Sequence, residues 1–232
     1  MTLDNVWASS MAKDPALPMF RFTSGSTANV YQSVFVDMDF VLEINRGFAA
    51  FHECAFQNIH GKLAYTRQSQ IWFHECMFHA VKRIELVGGA YAELARCVFW
   101  GPLNEAGEME GTEPVAVVKS GSFVHARQCV IDKYKTAIVV QDQGSEGSVN
   151  QSSVRDVDVV LHAMNDANAI VKKSQIQKVP FLKISKNKKG KLCVYDNEAP
   201  EGHEFVMDLP SLENKVVMSQ LIKTKWSSRC VD

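Results

Sequence analysis

The chain has 232 residues, 46% of them hydrophobic, and a formal net charge of −1. That is enough apolar sequence for one domain with a sizeable core, and too little positive charge for a bulk field that would hold nucleic acid. No stretch reaches the ~18 apolar residues of a membrane span, and the opening MTLDNVWASSMAKDPALPMF lacks the basic start and apolar run of a secretory signal, so a soluble, unexported protein with no membrane partner is expected.

In chain order, residues 1–27 contain one strand-like piece, Met19 to Phe22, and are expected to cap the first coil of a repeat that sets in at residue 28. The anchors of the repeat are Ser33-Val34-Phe35, Cys54-Ala55-Phe56, Cys76-Met77-Phe78, Cys97-Val98-Phe99, Cys129-Val130-Ile131, Ser152-Ser153-Val154 and Ser174-Gln175-Ile176. Subtracting their first positions gives intervals of 21, 22, 21, 32, 23 and 22 residues. The long interval holds LNEAGEMEGTE, residues 103–113, which reads as an acidic loop inserted into one coil.

Three residues before each anchor stand Val30, Phe51, Phe73, Leu94, Ala126, Val149 and Val171, and five before stand Ala28, Ala49, Ile71, Ala92, Val124, Gly147 and Ala169. Five residues after come Met38, Ile59, Val81, Pro102, Tyr134, Val157 and Val179. The spacing within each piece is two, as in a strand, and its parity changes between pieces, which requires a corner. Short strands joined by corners close one coil, and each coil stacks on the next at ~4.8 Å. The fold class expected is therefore all-β, a single-stranded right-handed parallel β-helix of about seven coils over residues 28–185. A leucine-rich horseshoe would need an L-x-x-L-x-L frame, which is absent, and helical repeats need longer periods.

Cys54, Cys76, Cys97 and Cys129 share one place in successive coils, as do Phe35, Phe56, Phe78 and Phe99, so both sets form inward ladders. Stacked, buried thiols of this kind act as small hydrophobes, and they point to a reducing intracellular compartment, cytoplasm or nucleus. After Ile184 the run Lys186-Asn187-Lys188-Lys189-Gly190-Lys191 is a polar turn leading into Leu192-Cys193-Val194-Tyr195. Residues 186–232 are expected to close the far end, with the apolar content of Val206 to Trp226 doing so.

Coils such as Ala49 to Phe56 (AAFHECAF) and Tyr91 to Phe99 (YAELARCVF) resemble those of pectate-lyase-type β-helices. They are especially similar to the Cys-x-Phe coils of the large early transforming protein of adenoviruses and the related capsid protein of atadenoviruses. The resemblance covers about residues 28 to 185. It implies a viral adaptor or a trimeric capsid component without catalytic activity.

For an enzyme of the pectate-lyase-like type, the candidate carboxylates are Asp37 with Asp39, and Asp156 with Asp158 beside Arg155. The two pairs lie five coils apart, roughly 24 Å, too far for one site. Solvated corner carboxylates are the preferred reading, and the aromatic-lined acidic groove of a sugar site is not visible. The duplicated Phe-His-Glu-Cys places His52 and His74 at equivalent corners, where they could approach one metal ion. They lack a third fixed ligand, so a solvated ladder is preferred, and no motif implies a cofactor.

Two surfaces remain. The C-terminal half is basic, with Lys172, Lys173 and the lysines after them, but without interleaved aromatics, so a nucleic-acid-binding module ranks third among the functions considered. The middle residue of each anchor points outward, and there Val34, Ala55, Met77, Val98 and Val130 form an apolar stripe, with Trp72 on the neighbouring strand. A contiguous stripe usually has a partner, the alternative being that a terminal cap or the 103–113 loop folds over it. The expectation is a non-catalytic scaffold that contacts another protein or itself, as a homo-oligomer for which a trimer is one arrangement, ahead of a carbohydrate-active β-helix enzyme.

Overall fold

A computed structural model describes residues 1–9, 17–107, 109, 113–177, 181–185, 192–195, 197 and 230–231. Val179, the lysine run 186–191, the segment Val206 to Trp226, and Glu108 and Glu110 of the insertion lie outside the described residues. Within the described residues the chain is all strand, with no helix, wound as a parallel β-solenoid of about seven turns.

Each turn supplies strands to three faces. Face 1 is a ten-stranded sheet whose members include Thr27–Tyr31, Phe48–His52, Gln70–His74, Tyr91–Ala95, Phe123–Arg127, Glu146–Asn150 and Asn168–Lys172. Faces 2 and 3 are the two halves of a 14-stranded sheet. In the first two coils single long strands, Val34–Asn45 and Ala55–Arg67, run through both halves, with a register shift between Met38 and Phe40 where they turn. Later coils break there into separate strands, such as Met77–Val81 and Ile84–Val87.

Alternation puts one side of every strand inside. On face 2 the rings of Phe35, Phe56, Phe78 and Phe99 are fully buried and stacked, with centroids 5.0, 5.2 and 4.3 Å apart along the series. Phe51 and Phe73 of face 1 form a second stack at 5.2 Å and meet the first edge-on. Ring pairs at these separations are favourable beyond the area they bury. Tyr134 is buried, and its hydroxyl donates to the Val81 carbonyl at 3.2 Å.

The corners need a residue with positive φ. Just before the anchors, Gln32, Glu53, Glu75, Arg96, Gln128, Gln151 and Lys173 have φ between 45° and 56°. A side-chain-bearing residue in this region is disfavoured by roughly 1–2 kcal/mol. Bonds made by the anchors help hold the turn. The thiols donate across it to the carbonyl two residues back: Cys54 Sγ to His52 O at 3.3 Å, Cys76 Sγ to His74 O at 3.4 Å and Cys97 Sγ to Ala95 O at 3.4 Å. Cys129 Sγ does the same to Arg127 O at 3.4 Å. Where the anchor is serine the same bond forms, as from Ser33 Oγ to Tyr31 O at 2.7 Å and from Ser152 Oγ to Asn150 O at 2.9 Å. The anchor is therefore more than a small hydrophobe; it is a buried donor, which is why Cys and Ser interchange there.

The repeat also reaches into both terminal segments. Thr2–Asp4, Trp7–Ser9 and Phe20–Phe22 pair in parallel with the first coil and add one strand to each face. At the other end Leu192 and Val194 sit opposite Ala169 and Val171, and Asn197 takes the next anchor place. Its Oδ1 accepts from the Ser174 backbone N–H at 2.9 Å, and its Nδ2 donates to Val171 O at 3.0 Å.

All four ladder cysteines are free and buried. Burial pushes the Cys76 thiol up to about 12 and raises Cys97 further, whereas a hydrogen bond from Cys76 brings Cys54 below its ordinary value. Cys193 is disulfide-bonded, and the sixth cysteine, Cys230, stands opposite it in an antiparallel pairing.

Candidate functional site

Face 2 carries the outward stripe. Backbone register places Trp7, Val34, Ala55, Met77, Val98, Val130, Ser153 and Gln175 in one row across successive strands. Trp7 is 71% exposed, Met77 61% and Val98 36%; Val34, Ala55 and Val130 are half-buried. A second outward row beside it reads Ser9, Val36, Gln57, His79, Trp100, Asp132 and Arg155, in which Trp100 is 46% exposed. The stripe is thus one strand longer than the anchors indicate and is flanked by a second tryptophan. Trp7 lies in a segment without an anchor tripeptide, and Trp100 sits three residues past its anchor, where the outward parity still holds.

Trp72 is not part of this row. It faces outward from face 1, between Ala50 and Glu93, and the corner through Glu75 separates it from Met77. There it belongs to an aromatic and histidine surface. Trp72 meets Phe48 edge-on at 5.0 Å and stacks on His74 at 5.7 Å; Tyr31 stacks on His52 at 4.9 Å; His52 meets His74 at 5.2 Å. Burial, and then the charge of His74, hold His52 below its ordinary pKa. The two imidazoles do approach each other, but among the described residues no group of three or more His, Cys, Asp or Glu converges in a way that could hold a metal ion.

Further along face 1 lies a half-open groove of about 330 Å³, lined by Tyr91, Glu93, His125, Arg127, Glu146 and Asn150. Arg127 pairs with Glu93 at 3.2 Å, His125 lies 3.7 Å from Glu146, and the Tyr91 and His125 rings meet edge-on at 5.5 Å. Tyr91 and His125 thus stand beside two carboxylates, Glu93 and Glu146, and two cations, Arg127 and Lys172. The sequence hides this because the partners are whole coils apart.

The catalytic candidates are dispersed by comparison. Arg155 turns to Asp132 of the preceding coil at 3.6 Å. Asp156 occupies a positive-φ corner, and Asp158 is exposed. Asp37 is another positive-φ corner residue and accepts from Asn58 Nδ2 at 3.0 Å. Asp37 and Asp156 thus serve at corners, while Asp39 lines a separate cavity with His60, Lys62, Lys82, Arg83 and Glu113.

Comparison with protein-family models, with curated proteins and with solved structures returned no match. Among the described residues no helix is long and apolar enough to cross a membrane.

Proposed function

We propose that the chain is a non-catalytic scaffold whose face 2 packs against a second copy of itself. The observation that carries this reading is the outward apolar row from Trp7 to Val130, exposed at Trp7, Met77 and Val98, with Trp100 beside it. Six strands span five intervals of ~4.8 Å, so the row is roughly 24 Å long. The row itself carries no charged side chain, and ions flanking it are paired with each other, Arg155 with Asp132 and Arg96 with Glu75, so an identical row can be set against it without burying a lone charge. A two-fold pair is self-complementary in this way, and a three-fold closure is a second symmetric solution. A viral structural or adaptor setting agrees with the likeness of the coils to adenoviral β-helices and rests on that likeness alone.

A photo-reactive benzophenylalanine in place of Val98 tests the contact. Irradiation should give a covalent dimer joined at face 2; cross-links confined to the same chain would contradict it.

A second reading, a surface for binding sugar polymers, is favoured by the face 1 groove with Tyr91, Glu93, His125 and Arg127 and by Trp72 near it. Flat rings and paired polar groups suit pyranose faces and hydroxyls. Retardation in polysaccharide-containing gels that disappears in Tyr91→Ala would establish this role; unaltered migration across a panel of acidic and neutral polymers would remove it.

A further inference from the structure

The insertion leaves the solenoid after Trp100 and rejoins it before the strand Ala116–Val118, at the corner between faces 2 and 3. Its described part folds back on itself through an antiparallel bridge between Leu103 and Met109. Its last residue, Glu113, reaches Arg83 at 3.6 Å. Insertions in a repeat array commonly carry function, because the coils themselves do not need them.

Beside that contact lies a half-open cavity of about 400 Å³, lined by Asp39, His60, Lys62, Lys82, Arg83 and Glu113 over a floor that includes Phe40. Three cations already converge on Glu85: Lys62 at 2.8 Å, Lys119 at 3.5 Å and Arg83 at 3.9 Å. Burial pushes the Glu85 carboxyl up, yet the hydrogen bond from Lys62 and the three positive charges outweigh it and leave the group below its ordinary value. Lys82, half-buried at the same corner, has no carboxylate within 4.0 Å among the described residues. Counting Lys62, Lys82, Arg83 and Lys119 against Asp39, Glu85 and Glu113 leaves one excess positive charge here, on a chain whose net charge is −1. The Arg83 Nε–H is shut off from water and has no hydrogen-bond partner.

We propose that this corner binds a phosphate group through Lys82 and Arg83, with Glu113 of the insertion acting as a tethered anion that competes for Arg83. A guanidinium fork and a neighbouring ammonium are the side chains that recognise such a dianion. The acidic insertion then has a sign-specific role: it weakens binding while its carboxylate is seated and yields when the ligand displaces it. The phosphate is either free or carried as a monoester on a larger molecule.

Titration calorimetry on the whole chain at fixed ionic strength, with inorganic phosphate and with phenyl phosphate as probes, tests this. At least one probe should bind saturably to the wild type. Glu113→Gln should bind it severalfold more tightly, and Lys82→Gln and Arg83→Gln should each bind about tenfold more weakly, as expected for loss of one charge-assisted contact. Circular dichroism melts of each variant verify that it is folded. Tighter binding of phenyl phosphate identifies a monoester, and preference for inorganic phosphate a free anion. No saturable binding of either probe to the wild type and Glu113→Gln would overturn the proposal. So would binding that ignores Lys82→Gln, or weaker binding by Glu113→Gln.

Discussion

At the residue scale the anchors do two jobs at once. The inward direction of Cys54, Cys76, Cys97 and Cys129 follows from spacing alone, but their bonds to carbonyls across the corner do not. A sequence shows that Cys and Ser exchange at one position; only the turn geometry shows that both are donors. Reaction with a thiol reagent at pH 8 in native buffer should be slow at all four sites, with Cys54, whose thiol is held below its ordinary value while the other three are raised, reacting first. Rapid labelling of all four would mean that the ladder is open. The aromatic stacks beside them are similarly demanding. Phe78 is 1% exposed and sandwiched between Phe56 and Phe99, so Phe78→Ala should lower stability by ~3–5 kcal/mol in urea unfolding through the cavity it leaves.

Between strands, the corners were legible as breaks in parity but not in their conformation. Gln32, Glu53, Glu75, Arg96, Gln128, Gln151 and Lys173 all adopt positive φ, yet none is Gly or Asn, so composition gives no sign of the turn. Ala80, at φ +52°, offers a direct check at the next corner. Ala80→Gly should raise stability by up to ~1 kcal/mol, since relief of the backbone strain exceeds the added chain entropy. Gly101 occupies the equivalent corner one coil on, and there a Cβ would collide with the Lys133 carbonyl oxygen. Gly101→Ala should therefore lower stability by ~1–3 kcal/mol. Equal effects of the two changes would contradict these roles for the two corners.

Ion pairs between coils were not legible, because their partners are separated by a coil and sometimes by the insertion; Glu85 and Lys119 are 34 residues apart. The Glu85 carboxyl titrates lower in the folded state than its ordinary 4.5. Its contribution is thus complete above the ordinary carboxylate range and disappears as pH falls through the folded value. The stability difference between wild type and Glu85→Gln should be largest near neutral pH and shrink on acidification. A difference that grows as pH falls would reverse the assigned sign.

For the whole molecule, the repeat period was enough to give a parallel solenoid, and outward parity was enough to place Val34, Ala55, Met77, Val98 and Val130 in one row. What the period did not give is the extension of that row to Trp7, the flanking Trp100, and the grouping of Tyr91, Glu93, His125 and Arg127 on face 1. The first and third depend on register between residues far apart in the chain, whereas Trp100 shares the outward parity of Val98 two residues before it. The proposed scaffold role requires the row of face 2 to be covered by another copy. Sedimentation velocity over a range of concentrations, on wild type and Met77→Lys, tests this most directly. Wild type should sediment above the 25.9 kDa of one chain, and Met77→Lys should remain folded and fall to that mass, because pairing would bury an uncompensated charge. A wild type that stays at one chain's mass at every concentration, or a Met77→Lys variant that keeps its assembly, would contradict the role.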